Sequence, residues 1–296
     1  MAGDWNDYRF FLAVTRSGTL AGAARALGVD QSTVGRRLGA LQRQMGARLL
    51  DHTPDGYVLT AAGESILAEV EALERGFLGV ERKLLGADAR LEGVVRLATS
   101  EILATMFLVP HLGLLRERHP HLAVEVMTGN EPVDLARREA DVSIRIGVPP
   151  KQPNLVVRRI ATAGFALYAA QSYLASHGRP RPGRRLEGHQ VVCYGGELAS
   201  TPIGRWATQE ASSAEVVVRA NSVGAVYEAV AAGLGLGVLP CLLGERALVR
   251  VSARPVGAVP LWTVVHEDLV RSARVRAVLD FVAELSAREG RALAGA

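Results

Sequence analysis

The sequence predicts a small helical domain with a β-hairpin, then a long connecting helix, then a larger α/β domain in two lobes. Three patterns support this order. Residues 19–41 have the residue sizes of two short helices that cross at a glycine turn. Residues 61–85 repeat apolar side chains at heptad spacing. From residue 91 onward, short β-branched runs alternate with helical segments, which is typical of an α/β sheet.

Three residues of suitable size predict the crossing of the two short helices. Ala24 lets the helices approach closely, and Gly28 allows a turn at positive φ. Val34 fills the space between the helices from the start of the second one. This second helix is predicted to begin at about Gln31, with Asp30 as its N-cap. Its apolar residues are spaced so that they lie on one face of the helix, and this face is predicted to be buried. They are Val34, Leu38, Leu41 and Met45.

The opposite face of this helix carries side chains that can read base edges and hold phosphates in a DNA major groove. The residues of this predicted DNA-binding face are Gln31, Ser32, Thr33, Arg36, Arg37 and Arg43. Between Arg16 and Arg48 there are six arginines against one acidic residue, although the whole chain has a net charge of only +4. This local charge indicates a polyanionic partner. A surface αα-hairpin with solvated arginines is the alternative.

A β-hairpin and an earlier helix complete a winged three-helix unit. Residues 48–60 begin with an apolar segment and then have turn residues from Pro54 to Gly56. The segment after the turn contains β-branched and aromatic residues, so the pattern predicts two antiparallel strands. We expect this wing, with His52 and Thr53, to lie along the sugar-phosphate backbone of DNA. The earlier helix has Asp4 as its cap and an apolar face that begins at Tyr8.

A heptad pattern follows the wing, because apolar positions are separated alternately by four and three residues. These positions are Ile66, Val70, Leu73, Phe77, Val80 and Leu84. The spacing predicts that the helix pairs with a second copy of the chain, and packing within the same chain is the alternative. The charged residues on the other faces, such as Glu71 and Glu74, are predicted to be solvated.

Residues 4–63 resemble the N-terminal domain of LysR-type transcriptional regulators, from the alanine-rich helix through LGVDQSTVGRRL to LTAAG. The resemblance continues along nearly the whole chain. It implies a winged helix-turn-helix DNA-binding domain at 1–60, a linker and dimerisation helix at 61–90 and an effector-binding domain at 91–296. In this family the effector domain has a periplasmic-binding-protein-like (type 2) fold, and the assembly is commonly a homotetramer. The implied partners are dyad-symmetric double-stranded DNA, a small-molecule effector and RNA polymerase.

The chain departs from the family pattern at several positions that bear on DNA binding. Gly35 stands where a serine is usual in the recognition helix, and Gln42 where a glutamate is usual. In the wing, Leu50, His52 and Asp55 replace the usual phenylalanine, arginine and basic residue. Gly35 lowers helix propensity by about 1 kcal/mol relative to alanine and removes a hydroxyl that could touch DNA.

Composition and apolar patterning favour a chain with large cores and no membrane span. The 296 residues are 49% hydrophobic, which suggests two or three domains. The N-terminus has acidic residues and no apolar segment, so we expect no signal peptide and a cytoplasmic location. The longest apolar stretch, residues 223–243, contains Glu228 and Pro240 and predicts a buried helix and strand. Cys193 and Cys241 are predicted to be buried small hydrophobes, with a redox pair as the alternative.

The α/β pattern from residue 91 onward divides into two sets of strands and helices. The first set is predicted at 94–99, 108–118, 122–128, 133–138 and 141–147, with a return at 260–267 and 272–288. The second set is predicted at 164–170, 191–194, 214–220, 222–232 and 236–240. We therefore expect one lobe formed by 91–162 with 267–296, and another formed by 163–266.

Small molecules bind beyond the carboxyl ends of strands in open α/β sheets, where helix N-termini present free N–H groups. The candidate effector-binding residues at these ends are Thr99, Ser100, Thr128, Gly129, Asn130, Arg145, Gly147, Asn221 and Ser222. Their hydroxyl and amide groups suit a carboxylate or another small anion, with Arg145 as a counter-charge. Alternatively, Ser100 and Ser222 are only N-caps, and Arg145 pairs with a neighbouring acid.

An enzyme is the main rival class, but the sequence offers it little. The seven histidines are scattered, and there is no H-E-x-x-H, G-x-S-x-G or P-loop motif. We therefore expect no catalytic residue, no metal and no cofactor other than the effector. A solute-binding protein without a role in transcription would explain only the second half of the chain. That class of protein would not explain the basic segment or the heptad pattern.

Overall fold

The computed structural model describes residues 4–86, 91–129, 134–135, 139–181 and 186–296, with backbone only at 82–86. The chain divides into two compact units, residues 1–83 and 84–296. The long helix after the wing therefore belongs to the first unit up to residue 83, whereas the sequence predicted a separate segment at 61–90.

Three helices open the first unit: α1 (Trp5–Ser17), α2 (Leu20–Leu27) and α3 (Gln31–Met45). The carboxylate of Asp4 caps α1 as predicted, since it accepts a hydrogen bond from a backbone N–H of the first turn. Gly28 ends α2 with φ of 65°, the left-handed conformation that glycine adopts without steric cost. The predicted helix-turn-helix is confirmed.

The core of this unit lies where the three helices cross. Val34, Leu38 and Leu41 are buried there, as the apolar face of α3 predicts. Met45, the fourth predicted member, is 40% exposed, so its assignment to the core was wrong. It is the last residue of α3 and lies beyond the crossing. Asp30 has the extended backbone of an N-cap, but its side chain makes no capping hydrogen bond.

The wing consists of antiparallel strands β1 (Leu50–Thr53) and β2 (Gly56–Leu59). Gln42 of α3 holds its start, because its side-chain oxygen accepts hydrogen bonds from Leu49 N (2.8 Å) and Leu50 N (3.2 Å). The family's usual glutamate could accept the same bonds, so the departure at this position keeps the contact.

Helix α4 (Ala61–Gly86) follows the wing and is packed tightly against it. The hydroxyl of Thr60 accepts a hydrogen bond from Gly63 N (3.1 Å) and donates one to Arg48 O (2.7 Å). A Cβ atom at Gly63 would lie 2.1 Å from Leu49 O, so only glycine fits at this approach. The wing is therefore fixed to the first turn of α4.

In the second unit, nine strands of the described chain form one sheet in the order β4-β3-β5-β11-β6-β9-β7-β8, with β10 paired to β6. The strands are β3 (Gly93–Thr99), β4 (Leu122–Thr128), β5 (Val142–Ile146), β6 (Leu155–Ala169), β7 (Gln190–Tyr194), β8 (Glu215–Ala220), β9 (Leu236–Pro240), β10 (Val249–Arg250) and β11 (Gly257–His266). The β3–β4, β3–β5, β7–β8 and β7–β9 pairs are parallel, and β6 and β11 pair antiparallel with their neighbours.

Helices cover both faces of this sheet. They are α5 (Glu101–Leu103), α6 (Leu112–Arg118), α7 (Gln171–His177), α8 (Gly196–Ala199), α9 (Pro202–Glu210), α10 (Val223–Ala231), α11 (Cys241–Gly244), α12 (Ala273–Arg288) and α13 (Gly290–Ala294). A π-helical turn (Ala104–Leu108) and a 3-10 turn (Val109–His111) connect α5 to α6. The helix predicted at 133–138 lies mostly outside the described residues.

Two hydrophobic cores define two lobes, but their limits differ from those predicted. Leu261 and Val265 of β11 are buried in the core of the first lobe, so the predicted boundary at 266/267 was wrong. Ala163 lies in the same core, which moves the other boundary beyond 162. Strand β6 begins at Leu155 and runs through both lobes. The pair Arg158 and Arg159 interrupts its apolar pattern, which is why the sequence predicted only its second half.

Cys193 and Cys241 are buried free thiols, as predicted. Burial raises the pKa of the Cys193 thiol above its ordinary value, which lowers the fraction of reactive thiolate. No helix in the described part of the chain is long and apolar enough to cross a bilayer.

Replacement of Gly35 by alanine should stabilise the first unit. A Cβ atom at Gly35 would lie 3.5 Å from Leu20 Cδ1, an ordinary contact, and alanine favours the helix by about 0.5 to 1 kcal/mol. Gly28→Ala is the control and should destabilise the unit, because position 28 has positive φ. Urea denaturation followed by circular dichroism measures both, and a lower midpoint for Gly35→Ala would contradict this reading of α3.

Candidate functional sites

The outer face of α3 presents most of the predicted DNA-binding residues to solvent. Gln31, Ser32, Arg36 and Arg43 are exposed, and Thr33 is half-buried. Among the residues that the structure describes, Arg36 and Arg43 have no acidic partner within 4.0 Å. This face can therefore donate hydrogen bonds to base edges and phosphates without first breaking an ion pair.

Arg37 differs from the other predicted residues of α3. Its Nη1 lies 3.2 Å from Oδ1 of Asp7 on α1, and Asp7 is only 6% exposed. One residue corresponds to about 100° around a helix, so Arg37 lies on the flank of α3 that faces α1 and not beside Arg36. Asp7 was not among the residues predicted from the sequence. A signal was present, since Asp7 is four residues before buried Phe11 and thus on the buried face of α1.

Arg16 also has acidic partners inside the first unit. Its guanidinium lies 2.5 Å from a carboxylate oxygen of Glu74 and 3.8 Å from one of Glu71, both on α4. The prediction that these two glutamates are simply solvated was wrong. With Arg16 and Arg37 both paired, the positive charge left for a polyanion is smaller than the arginine count of the segment suggests.

The two predicted contact residues of the wing have different surroundings. His52 is exposed, and its ring packs edge-on against Tyr57, with ring centroids 5.0 Å apart. The hydroxyl of Thr53 donates a hydrogen bond to Gly56 O at 2.9 Å and closes the hairpin turn. A hydroxyl has one proton to donate, so Thr53 cannot donate to a phosphate while this bond exists.

The heptad positions of α4 divide into a buried part and an exposed part. Val70 is 3% exposed in the core of the helix-turn-helix, and Ile66 packs against the same core. Val70 is therefore not available to a second copy, and Ile66 is partly covered by its own domain. Leu73 and Val80 are 59% and 61% exposed. Phe77 is also exposed and stacks against Trp5 with ring centroids 6.2 Å apart.

The last heptad residue, Leu84, has a side chain outside the described part of the structure. The three exposed apolar side chains, Leu73, Phe77 and Val80, therefore form the described part of the seam. Apolar side chains at this spacing on one helix face suit a partner helix.

At the carboxyl end of β3, the structure brings several predicted effector-binding residues together. Gly129 N donates a hydrogen bond to Thr99 O (3.2 Å), so the ends of β3 and β4 are adjacent. The hydroxyl of Thr99 is buried and has no hydrogen-bond partner among the residues that the structure describes. Thr128 is exposed. Ser100 caps α5, since its Oγ accepts a hydrogen bond from Leu103 N at 3.4 Å. Asn130 lies outside the described residues.

Arg145 is not placed with Thr99. The register of β3 and β5 pairs Ala98 with Ser143, and side chains alternate between the faces of a sheet, so Arg145 lies on the face opposite Thr99. Its Nε donates a hydrogen bond to Ser143 Oγ (3.1 Å), and burial lowers the pKa of its guanidinium below the ordinary value. Gly147, two residues later, accepts a hydrogen bond from Trp262 Nε1 (2.7 Å) and ends the strand.

The second lobe contributes a separate group of residues. Ser222 caps α10, with its Oγ 3.5 Å from Ala225 N, and Asn221 before it is exposed. Gly195 N donates a hydrogen bond to Ala220 O (2.8 Å), so the turn after β7 lies beside Asn221. This turn was not among the predicted site residues. The glycine pair that follows the apolar strand, Gly195 and Gly196, was the available signal.

Two family models match the chain, and together they span nearly its whole length. The model described as "Bacterial regulatory helix-turn-helix protein, lysR family" matches residues 5–64. The model described as "LysR substrate binding domain" matches residues 88–287. The first contains α1 to the start of α4, and the second contains the sheet of the second unit.

Similar proteins and structures agree with these matches. An HTH-type transcriptional regulator of Xanthomonas campestris is 29% identical over 192 residues, which are 65% of this chain and 56% of that protein. The HTH-type transcriptional regulator CrgA of Neisseria meningitidis is 24% identical over 93% of this chain and 94% of its own length. The full-length structure of the Vibrio cholerae virulence activator AphB matches with a TM-score of 0.62 and 22% identity, covering 95% of this chain and 98% of its own. The predicted fold class is confirmed.

We expect Arg36→Ala to weaken binding to a specific dyad-symmetric duplex by about 1 to 3 kcal/mol, because this exposed side chain is predicted to contact a base. Fluorescence anisotropy at fixed salt measures the affinity. Arg9→Ala removes an exposed arginine from α1 and serves as the control. Equal affinities for the Arg36 variant and wild type, with normal circular dichroism, would remove Arg36 from the DNA-binding surface.

Proposed function

The chain belongs to the LysR family of transcriptional regulators, and on that premise we propose that α3 reads dyad-symmetric promoter sites while the α/β unit binds a small anionic effector. The helix-turn-helix and the effector-binding domain are properties of the family. The residues that carry each role, the chemistry of the effector and the assembly are the proposal.

DNA reading is proposed for the exposed face of α3. Gln31, Ser32 and Arg36 would contact base edges, and Arg43 would contact the phosphates on the same face. His52 of the wing would lie along the sugar-phosphate backbone. The support is the exposure of these side chains together with the absence of acidic partners for Arg36 and Arg43 among the described residues.

Pairing of two copies is proposed through Leu73, Phe77 and Val80 of α4. These exposed apolar side chains are the described part of the heptad pattern that the core of the first unit leaves uncovered. Two paired helices would present two copies of α3 to two half-sites of one operator. Two such dimers would form the homotetramer that the family resemblance implies, with RNA polymerase as a further partner at the promoter.

An effector site is proposed at the carboxyl end of β3, and the buried hydroxyl of Thr99 is the observation that carries it. A buried hydroxyl without a hydrogen-bond partner costs free energy, and a ligand that bonds to it removes this cost. Thr99 lies at the strand end where α/β sheets bind small molecules. Gly129 is adjacent to it.

An anion is the proposed class of effector, because the N-terminus of α10 follows directly after the end of β8. The start of α10 behind Ser222 presents backbone N–H groups from the second lobe, and helix N-termini favour negative charge. Arg145 is omitted from the proposed site because it lies on the other face of the sheet. An effector held by both lobes would change their closure and, through α4, the spacing and bend of bound DNA.

The remaining parts of the proposal follow from the family. A transcriptional regulator acts in the cytoplasm on the chromosome and needs no catalytic residue, metal or cofactor other than its effector. A solute-binding protein without a role in transcription receives no support, since it would leave the match at residues 5–64 without a function.

Leu73→Glu combined with Val80→Glu should convert the assembly to smaller species and weaken operator binding. Two unpaired charges buried in a helix pair cost several kcal/mol, whereas both positions are exposed within one copy. Light scattering measures the mass. Ala68→Glu with Ala72→Glu adds the same charge at exposed positions of α4 outside the row of Leu73, Phe77 and Val80 and should leave the mass unchanged. A wild-type mass for the Leu73 and Val80 variant would show that copies pair elsewhere.

Thr99→Val should abolish the response to effector while keeping or raising the stability of the free protein. A ligand at a hundredfold excess over Kd raises the free energy of unfolding by about 2.7 kcal/mol. A thermal-shift screen of organic acids, amino acids and neutral sugars is expected to find hits among the acids. These shifts should vanish in Thr99→Val and persist in Thr105→Val, whose hydroxyl bonds to Glu101 O. Hits among neutral compounds alone would refute the anionic class.

A further inference from the structure

The pairing of Asp7 with Arg37 has a consequence for DNA selectivity. We propose that Asp7 is a specificity-determining residue, which neutralises Arg37 and keeps it off the DNA phosphates. The recognition helix then offers DNA the free charges of Arg36 and Arg43 but not that of Arg37. The inference rests on the proposed DNA-reading role of α3. Asp7 acts through Arg37 and does not itself contact DNA.

Burial of Asp7 makes this pair hard to break. Its side chain is 9% exposed and lies 3.2 Å from Arg37 Nη1, while the side chain of Arg37 is 44% exposed. If Arg37 turned toward a phosphate, it would leave the carboxylate of Asp7 buried without a counter-charge. Such an uncompensated buried charge costs more than one solvent-exposed phosphate contact returns.

The geometry of α3 also separates the two arginines. Arg36 points away from the buried stripe of Val34 and Leu38, whereas Arg37 follows it by about 100° and lies on the flank beside α1. Consecutive arginines in the sequence thus have different surroundings. Arg36 is exposed and without an acidic partner in the described structure, and Arg37 is held by α1.

A neutralised arginine favours selectivity because phosphate contacts carry no sequence information. Each added phosphate contact strengthens binding to all DNA and steepens the dependence of log Kd on log salt by about 0.9. An additional free arginine on α3 would therefore tighten binding to random DNA as well as to the operator. The carboxylate of Asp7 prevents this for Arg37 without removing the arginine from the domain.

The direct test compares wild type with Asp7→Asn in the full-length protein. The probes are a random-sequence duplex and the duplex that wild type enriches from a random pool. We expect Asp7→Asn to bind the random duplex more tightly, with a salt slope steeper by about 0.9. Its affinity relative to wild type should grow about threefold between roughly 200 mM and 50 mM salt. The ratio of enriched to random affinity should fall. An unchanged slope in folded Asp7→Asn would overturn the inference.

The double variant Asp7→Asn, Arg37→Gln identifies the source of the effect. Both changes should disappear in it, because the released charge is then absent. If the steeper slope persists, the extra contact comes from another residue and the inference is wrong. Circular dichroism at the binding temperature establishes that each variant is folded.

Arg37→Gln alone keeps the inference testable if Asp7→Asn does not fold. Its salt slope should match wild type, since the removed charge was already neutralised, and a decrease of about 0.9 would show that Arg37 contacts phosphate. Arg36→Gln separates this test from the proposed function. If Arg36→Gln also has no effect on either duplex, α3 does not read DNA at all. If it weakens binding to the enriched duplex while Asp7→Asn changes nothing, the inference about Asp7 alone fails.

Discussion

Val70 belongs to α4, yet its side chain lies in the core of the helix-turn-helix. This packing, in which Ile66 and Leu67 take part, makes the first turns of the long helix a structural part of the DNA-binding domain. The ion pair between Arg16 and Glu74 joins the same two elements at the surface. The rotation of α4 about its own axis is thereby fixed within the unit. The direction in which Leu73 and Val80 face is consequently set by the same core that holds α3.

Much of the fold followed from the spacing of apolar residues, because one buried face imposes a period on a helix or strand. The three helices, the wing and the strands near 94–99 and 236–240 could be predicted in this way. The first half of strand β6 could not be predicted, since Arg158 and Arg159 interrupt its apolar pattern. The limits of the lobes depend on which of the two cores contains Leu261 and Ala163. The spacing of apolar residues predicts that a side chain is buried but not in which core it is buried.

For the candidate sites, the sequence predicted the residue types and positions better than their partners. Thr99 and Ser222 could be placed at strand and helix ends from the local pattern. Whether the hydroxyl of Thr99 has a partner depends on every atom around it, and no spacing rule contains that information. The same holds for Arg37, whose partner is thirty residues away on another helix. Ion pairs of this kind arise from tertiary packing. Arg36 and Arg37 are therefore indistinguishable by residue type but have different surroundings in the fold.

The π-helical turn at Ala104–Leu108 lies in a segment that both lobes share. Leu103 and Phe107 belong to the core of the first lobe, whereas Ile102 and Met106 pack against the core of the second. Arg246 of the second lobe also donates a hydrogen bond to Met106 O at 3.4 Å. Because residues 102–107 pack against both cores, we expect the effects of substitutions in one core to be coupled to those of substitutions in the other. A change that repacks one lobe is therefore expected to need a compensating change in this helical segment if the packing of the other lobe is to be kept.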